Sequence, residues 1–253
     1  MAGAEAIRAE NLVKSFGHVT ALNGVSMQVA RGETLGILGD NGAGKSTLLK
    51  ILTGFHRPDH GQVHIDGRPV SLQSVGEARA LGVECVYQDL ALVNGLSIYL
   101  NLFLNRELLR RGPLRLLDHR AMRRRAGAAL ADIGIAVASV DLDVGALSGG
   151  QRQAIAVARA VSSDARILLL DEPLAAMGAR EARLIIDLIA RLKARGDIAI
   201  VMIAHNYAQT LEICDRIILM QHGEVTFESE AGQTSAEELL DIVRREYRAA
   251  RTG

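Results

Sequence analysis

Short apolar runs punctuate this chain: Thr34-Leu-Gly-Ile-Leu38, then residues 63–65, 83–87, 167–170, 198–203 and 217–220. Each is rich in Val, Ile or Leu and too short for a buried helix, so the pattern predicts strands. Stretches rich in Ala, Leu and Arg separate several of these runs and predict helices. Such alternation implies a parallel sheet with helices on its faces. Behind the first run, residues 47–52 read Thr-Leu-Leu-Lys-Ile-Leu, with leucines on one face of a helix.

Residues 90–160 read as mostly helical, broken at Gly112-Pro113, and look like a helical insert between core strands. Their arginine run, residues 120–125, has two readings: a solvated helix face, which is favoured, or a contact for acidic lipid headgroups. The tail, residues 234–248, carries leucines and isoleucine on one side and charges on the other. It predicts a helix packed on the body or against a second copy. Internal repeats and low-complexity tracts are absent from the sequence.

Composition narrows the class. The 253 residues suit one large α/β domain, or a domain with a subdomain. Twenty-nine basic residues balance 29 acidic ones, so the overall charge lacks the basic footprint of a nucleic-acid binder, and no nucleic-acid partner is expected. Cys85 and Cys214 lie far apart without metal-ligand spacing and read as small buried hydrophobes in a reducing, cytoplasmic setting. The start, Met-Ala-Gly-Ala-Glu-Ala-Ile-Arg, lacks the pattern of a signal peptide. No run approaches the ~20 apolar residues that span a bilayer, so a membrane role is expected to come through a partner.

Candidate chemistry enters at Gly39-Asp-Asn-Gly-Ala-Gly-Lys-Ser-Thr47, which fits the G-x-x-x-x-G-K-[ST] phosphate-loop pattern. Gly39, Gly42 and Gly44 would let backbone N–H groups turn inward around phosphate oxygens, where a Cβ would clash, and Asn41 belongs to the same ATP-binding loop. Lys45 would set an ammonium beside the β and γ phosphates, and Ser46, followed by Thr47, would offer its hydroxyl to Mg²⁺. The helix starting here aims its positive end at the anion. Only four lysines occur in the chain, and one of them stands at the phosphate position.

Residues 167–172 end an apolar strand in Asp171 and Glu172. A carboxylate emerging beside a phosphate loop suits a Mg²⁺ ligand, the role expected of Asp171. Glu172 is then placed to polarise an attacking water as general base. Alone, the pair would read as an acidic end to a core strand before Pro173.

Downstream lies Leu147-Ser148-Gly149-Gly150-Gln151. Alone it would be a helix-capping turn. With the phosphate loop it resembles the signature sequence of the ATP-binding cassette, the nucleotide-hydrolysing subunit of ABC transporters, and the resemblance covers essentially the whole length. It implies a P-loop NTPase core with a parallel sheet, an antiparallel β region near the N-terminus and a helical signature subdomain at about 90–160, all in one domain spanning 1–253. In that family two cassettes pack head to tail, so the signature of one closes over the ATP held by the other. The resemblance makes Phe16 the aromatic that stacks on adenine. Gln88 becomes the residue that senses Mg²⁺ and water and links the site to the membrane-facing surface, and His205 the switch that contacts the γ-phosphate.

The chain departs from the family after Glu172, where Pro173-Leu-Ala-Ala-Met-Gly178 replaces the commoner Pro-Thr-Ser-Ala-Leu-Asp. Gly178 removes a carboxylate from the expected dimer contact. The same variant is similar to cassettes of monosaccharide importers of the ribose, xylose and fructose type, as are residues 77–83, 86–98 and 103–107. The resemblance therefore implies ATP and Mg²⁺ as cofactors, a homodimer or paired cassette, membrane permease subunits, and indirectly an extracytoplasmic sugar-binding protein. It places the chain at the inner face of the cell membrane, with Tyr99 and Leu100 expected to face the permease. Import of a non-sugar solute, a permease-free ATPase acting on ribosome or DNA, and a nucleotide-sensing regulator are the alternative readings.

Overall fold

A computed structural model describes residues 4–175 and 177–249, with side chains through Arg245. The first three residues, Ala176 of the Ala-Ala-Met-Gly run and the side chain of Arg248 in the tail lie outside the described residues.

The chain begins with a hairpin, β1 (Glu5–Phe16) and β2 (Val19–Ala30), turned at Gly17, whose φ of 61° favours a residue without a Cβ. β4 (His60–Ile65) pairs antiparallel with β1, and β5 (Arg68–Val70) with β4, giving a sheet ordered β2-β1-β4-β5. Residues 63–65 therefore belong to this sheet and not to the parallel one that their apolar content predicted. The reason is visible in the pattern: buried Val63 and Ile65 flank half-buried His64, the alternation of a strand covered on one face.

The second sheet is ordered β10-β9-β3-β8-β7-β6. It contains β3 (Thr34–Leu38), β6 (Val83–Val86), β7 (Ile167–Asp171), β8 (Ala199–Ile203) and β9 (Arg216–Gln221), all parallel, with β10 (Glu224–Glu230) antiparallel at its edge. Period-two geometry divides each buried strand between two cores. Ile167 and Leu169 enter the core shared with the antiparallel sheet, while Leu168 and Leu170 enter the core on the opposite face. The same split separates Val201 from Met202 and Ile218 from Leu219. Burial on both faces is why these runs are apolar throughout.

The insert is less helical than its composition implied. It holds α3 (Ile98–Leu102), α4 (His119–Asp132) and α5 (Gly149–Val161), joined by irregular chain. The breaks follow from side-chain caps at Asp118 and Ser148 and from positive φ at Gly95, Asn105, Gly112 and Arg115. Within α4, Met122, Ala126 and Leu130 form the buried stripe, and arginines 120, 123, 124 and 125 are exposed, as both readings of that run require. Tyr99 departs from expectation: it is 5% exposed, with its hydroxyl 3.1 Å from His119 Nδ1, so its side chain fills the core instead of facing a partner.

α6 (Ala179–Arg195) and α7 (Tyr207–Ile213) flank β8, and α8 (Ala236–Ala249) is the tail. Leu239 and Val243 of α8 are buried in the same core as α5 and α6, so the tail packs on its own body. Cys214 is buried and Cys85 half-buried, both as free thiols, and burial pushes the Cys214 thiol up to about 12.

Candidate active site

The loop after β3 wraps through Gly39, Gly42 and Gly44 at φ of 143°, 86° and 99°. Two of these glycines are also required by crowding. A Cβ on Gly39 would stand 2.2 Å from the Met220 carbonyl oxygen, and one on Gly44 would stand 2.4 Å from that of Ala21. The loop thus lies pressed against β9 and β2 with its outer surface open at Asn41 and Gly42.

α1 (Lys45–Leu52) starts directly behind it. Gly44 caps α1 without a side chain, so the first-turn N–H groups, which have no partner inside the helix, remain available to an anion. Lys45 is 5% exposed, and its Nζ donates to the carbonyls of Gly39 at 2.7 Å and Asp40 at 2.9 Å. Burial lowers its pKa, while Glu172, Asp40 and Asp171, in that order, pull the other way. Ser46 is exposed and Thr47 half-buried on the same turn.

β7 delivers the carboxylates. Asp171 ends the strand opposite Ile203, and its carboxyl is raised above the usual aspartate range, by burial first and by Glu172 second. Glu172 turns the chain off the sheet with φ of 50°, a conformation that a residue bearing a Cβ adopts at some cost. The turn is held by its N–H, which donates to Ile203 O at 3.0 Å, and by Ala175 N–H, which donates to Glu172 O at 3.0 Å. His205 follows β8, and its Nε2 lies 2.5 Å from Glu172 Oε1. A cavity of about 230 Å³ opens beside this pair, lined by Leu174, Met177 and Asn206 among others. It has room for water beside the end of a phosphate chain, but not for a whole nucleotide.

Five candidates therefore leave four parallel strands of one sheet at their carboxyl ends: Lys45 after β3, His205 after β8, Asp171 and Glu172 at β7 and exposed Gln88 after β6. That edge is where open α/β sheets bind ligands. The donors on offer, the Ser46 hydroxyl, the Asp171 carboxylate and the Gln88 amide, are hard oxygens suited to Mg²⁺. No group of three His, Cys, Asp or Glu gathers among the described residues.

Phe16 stands on the other sheet, at the end of β1. It is 45% exposed, edge-on to His56 at 5.2 Å, with Lys14 Nζ 5.5 Å from its ring centre. An exposed ring between basic groups can take a flat heterocycle carrying phosphates.

The signature segment stands apart. Ser148 caps α5 in a reciprocal box with Gln151: Gln151 N–H donates to Ser148 Oγ at 3.3 Å, and Ser148 N–H donates to Gln151 Oε1 at 3.0 Å. Leu147 and Gly150 are buried, and Gly149 is half-buried. Gly150 N–H lies 3.4 Å from Glu181 Oε1 on α6, and a Cβ on Gly150 would come within 2.9 Å of the Glu181 Cβ. The Gly150 N–H and then the Ser148 hydroxyl hold the Glu181 carboxyl below the usual range. Sequence reasoning did not single out Glu181, whose only signal was its place in the first turn of a helix. Among the described residues, Leu147 to Gln151 share no hydrogen bond or ion pair with the phosphate loop. The signature is thus a capped helix start exposed on its own surface.

The loop, the carboxylate pair and the sheet order define a P-loop ATPase with a helical insert. Residues 22–175 match the ABC transporter family model, and the chain belongs to the ABC transporter family as an ATP-binding, ATP-hydrolysing subunit. It is 43% identical to a xylose/arabinose import ATP-binding protein of Sulfolobus acidocaldarius, over 91% of this chain and 90% of that one. It is 41% identical to a fructose import ATP-binding protein of Rhizobium meliloti, over 88% and 87%. A ribose import ATP-binding protein of Chromobacterium violaceum is 40% identical, but this chain spans only 45% of its length. Among solved structures, an ATP-binding cassette of an ABC transporter in its ADP conformation superposes with a TM-score of 0.80 at 27% identity, covering 95% of each chain. A dimeric cassette in a post-hydrolysis state with ADP and Pi gives 0.73 at 26% identity, covering 89% of this chain and 98% of that one.

Proposed function

We propose that this chain powers import of a monosaccharide, working as one of two paired cassettes beneath a membrane permease that receives its sugar from an extracytoplasmic binding protein. The observation that carries the mechanism is the convergence of Lys45, Asp171, Glu172 and His205 at one sheet edge, with Ser148 exposed and Gly149 half-buried at the start of α5 on the same chain. A site open on one side and a phosphate-gripping helix start without a phosphate loop of its own are complementary halves. A second copy, packed head to tail, completes both.

In this reading Phe16 stacks the adenine, Gly39 to Thr47 wrap the phosphates, and Lys45 shifts its ammonium from the loop carbonyls to the β and γ phosphates. Ser46, Asp171 and Gln88 would hold Mg²⁺, which would supply charge neutralisation at the phosphoryl oxygens. Glu172 accepts the proton of the attacking water, and His205 orients that carboxylate and meets the γ-phosphate. Leu147 to Gln151 bind the γ-phosphate of the facing copy. ATP then bridges two subunits and favours the closed pair, and loss of the γ-phosphate releases it.

Support for import of a sugar comes from the relatives, which are import ATP-binding proteins for xylose and arabinose, for fructose and for ribose. A groove of about 740 Å³ between α2 (Val75–Ala80) and the insert suits the permease. There Glu84, 5% exposed, is paired with Arg79 and Arg106, and its strand leads to Gln88. Movement at Gln88 would reach that groove directly.

Purification of the chain from its own cells in mild detergent, followed by mass spectrometry, tests this. Recovery of a polytopic permease, with ATP turnover stimulated by a sugar-loaded binding protein, is the expected result. Ribosomal or DNA-bound partners without a membrane protein would overturn the importer and leave the ATPase.

A further inference from the structure

The segment between α3 and α4, together with the first turns of α4, concentrates charge that the chain as a whole balances. Residues 104–125 hold eight arginines against two carboxylates, Glu107 and Asp118, in a chain with 29 basic and 29 acidic residues. Arg106 is paired with Glu84 and Arg123 with Asp141. The remaining six, Arg110, Arg111, Arg115, Arg120, Arg124 and Arg125, are exposed and have no carboxylate partner among the described residues.

The same segment exposes its leucines. Leu109 and Leu117 form a bridge, Arg110 N–H donates to Leu116 O at 2.8 Å, and Asp118 N–H donates to Leu108 O at 2.7 Å, so residues 108–118 form a narrow hairpin. Its base is fixed: Leu108 packs against the core, and Asp118 caps α4 by accepting from Ala121 N–H at 2.9 Å. Its tip, Gly112-Pro113-Leu114-Arg115, lifts Leu114 to 78% exposure and leaves Leu116 at 57%. On α4, Arg120 and Arg124 lie opposite the buried stripe of Met122 and Ala126, so they extend the basic surface away from the core. Solvated arginines alone would make an ordinary polar face. Apolar side chains raised among unpaired arginines instead match a boundary between anionic headgroups and acyl chains, where leucine enters the interface and guanidinium binds phosphate.

We propose that the 108–118 hairpin, with Arg120 and Arg124 behind it, docks directly on an anionic phospholipid surface, giving the subunit a membrane contact separate from its permease. The chain has no helix long and apolar enough to cross a membrane among the described residues, so this contact lies on the bilayer and does not span it. The proposal goes beyond the importer reading and shares only its location. Vesicle binding is measured without permease, so either idea can fail alone.

The test is cosedimentation of the purified chain with vesicles of phosphatidylcholine alone and of phosphatidylcholine with about a third phosphatidylglycerol. Binding is expected only to the anionic vesicles and is expected to weaken as salt rises. Each arginine at such a surface contributes about fivefold in partitioning, so R110S/R111S/R115S is expected to lose about a hundredfold. The pair L114S/L116S is expected to weaken binding while leaving its salt dependence intact. Because these side chains are exposed, both variants should keep the parent circular dichroism and basal ATPase. Equal binding to neutral vesicles, unchanged binding by the arginine variant, or tighter binding to an RNA oligomer than to anionic vesicles would each overturn the proposal.

Discussion

His205 Nε2 lies 2.5 Å from Glu172 Oε1, across the ends of two adjacent strands. The contact joins a residue held at φ of 50° to one that simply follows β8, so the histidine fixes a carboxylate whose backbone already points it away from the sheet. In the proposed mechanism the two side chains act as one unit. Glu172→Gln is expected to lower turnover by about 10² to 10⁴ while retaining ATP and accumulating a dimer. His205→Ala is expected to lose turnover as well, and the double variant should be little worse than Glu172→Gln alone. Single-turnover ATPase and size-exclusion chromatography measure both, and a fully active Glu172→Gln removes Glu172 from the base role.

The phosphate loop separates crowding from strain. Gly39→Ala meets the Met220 carbonyl oxygen at 2.2 Å and also carries a left-handed φ, whereas Gly42→Ala, with φ of 86°, meets nothing within 4 Å. The first is expected to cost about 3 kcal/mol and the second about 1 kcal/mol, both without nucleotide. Thermal melts of the two variants decide it, and equal shifts would show that the loop is not pressed against β9.

Asp171 carries a pH signature. Because its folded pKa is raised above the unfolded one, stability is gained on protonation and lost as pH rises through the folded value. Asp171→Asn keeps the shape and removes the titration. Without nucleotide it is expected to melt above the parent at pH 7 to 8, with the gap closing as pH falls toward about 4. Its ATPase should fall, since asparagine brings no charge to a cation. Parallel stability profiles across that pH range would discard the account of burial and Glu172 repulsion.

Phe16 touches solvent over 45% of its surface, so Phe16→Ala should change stability by no more than about 0.5 kcal/mol. Loss of stacking is expected to weaken ATP binding by about 5- to 100-fold. Isothermal titration with ATP and with pyrophosphate separates the effects: affinity for pyrophosphate should hold, and a parallel loss of both would place Phe16 outside the base site.

Much of the site was legible because its chemistry is local. Gly39 to Thr47 announces phosphate binding by residue type and spacing, and residues 167–172 announce a strand ending in carboxylates, since each function needs neighbours along the chain. His205 was legible only through family resemblance, because its partner Glu172 is 33 residues away. Glu181 escaped notice for the same reason: its contact with Gly150 exists only where α5 and α6 cross. The resemblance also misplaced Tyr99, whose hydroxyl is satisfied by His119, a residue that the linear sequence gives no cause to pair with it.

The sequence by itself determined the repeating strand and helix order, the phosphate loop and the two carboxylates, because backbone geometry and residue chemistry set these within a few positions. Tertiary structure decided which sheet residues 63–65 joined, how far the insert was helical, and that α8 closed on its own body. These outcomes depend on which apolar faces meet, and burial is won between segments distant along the chain. The same packing set the arginines of 108–118 around exposed leucines, a juxtaposition that the linear run of arginines did not reveal.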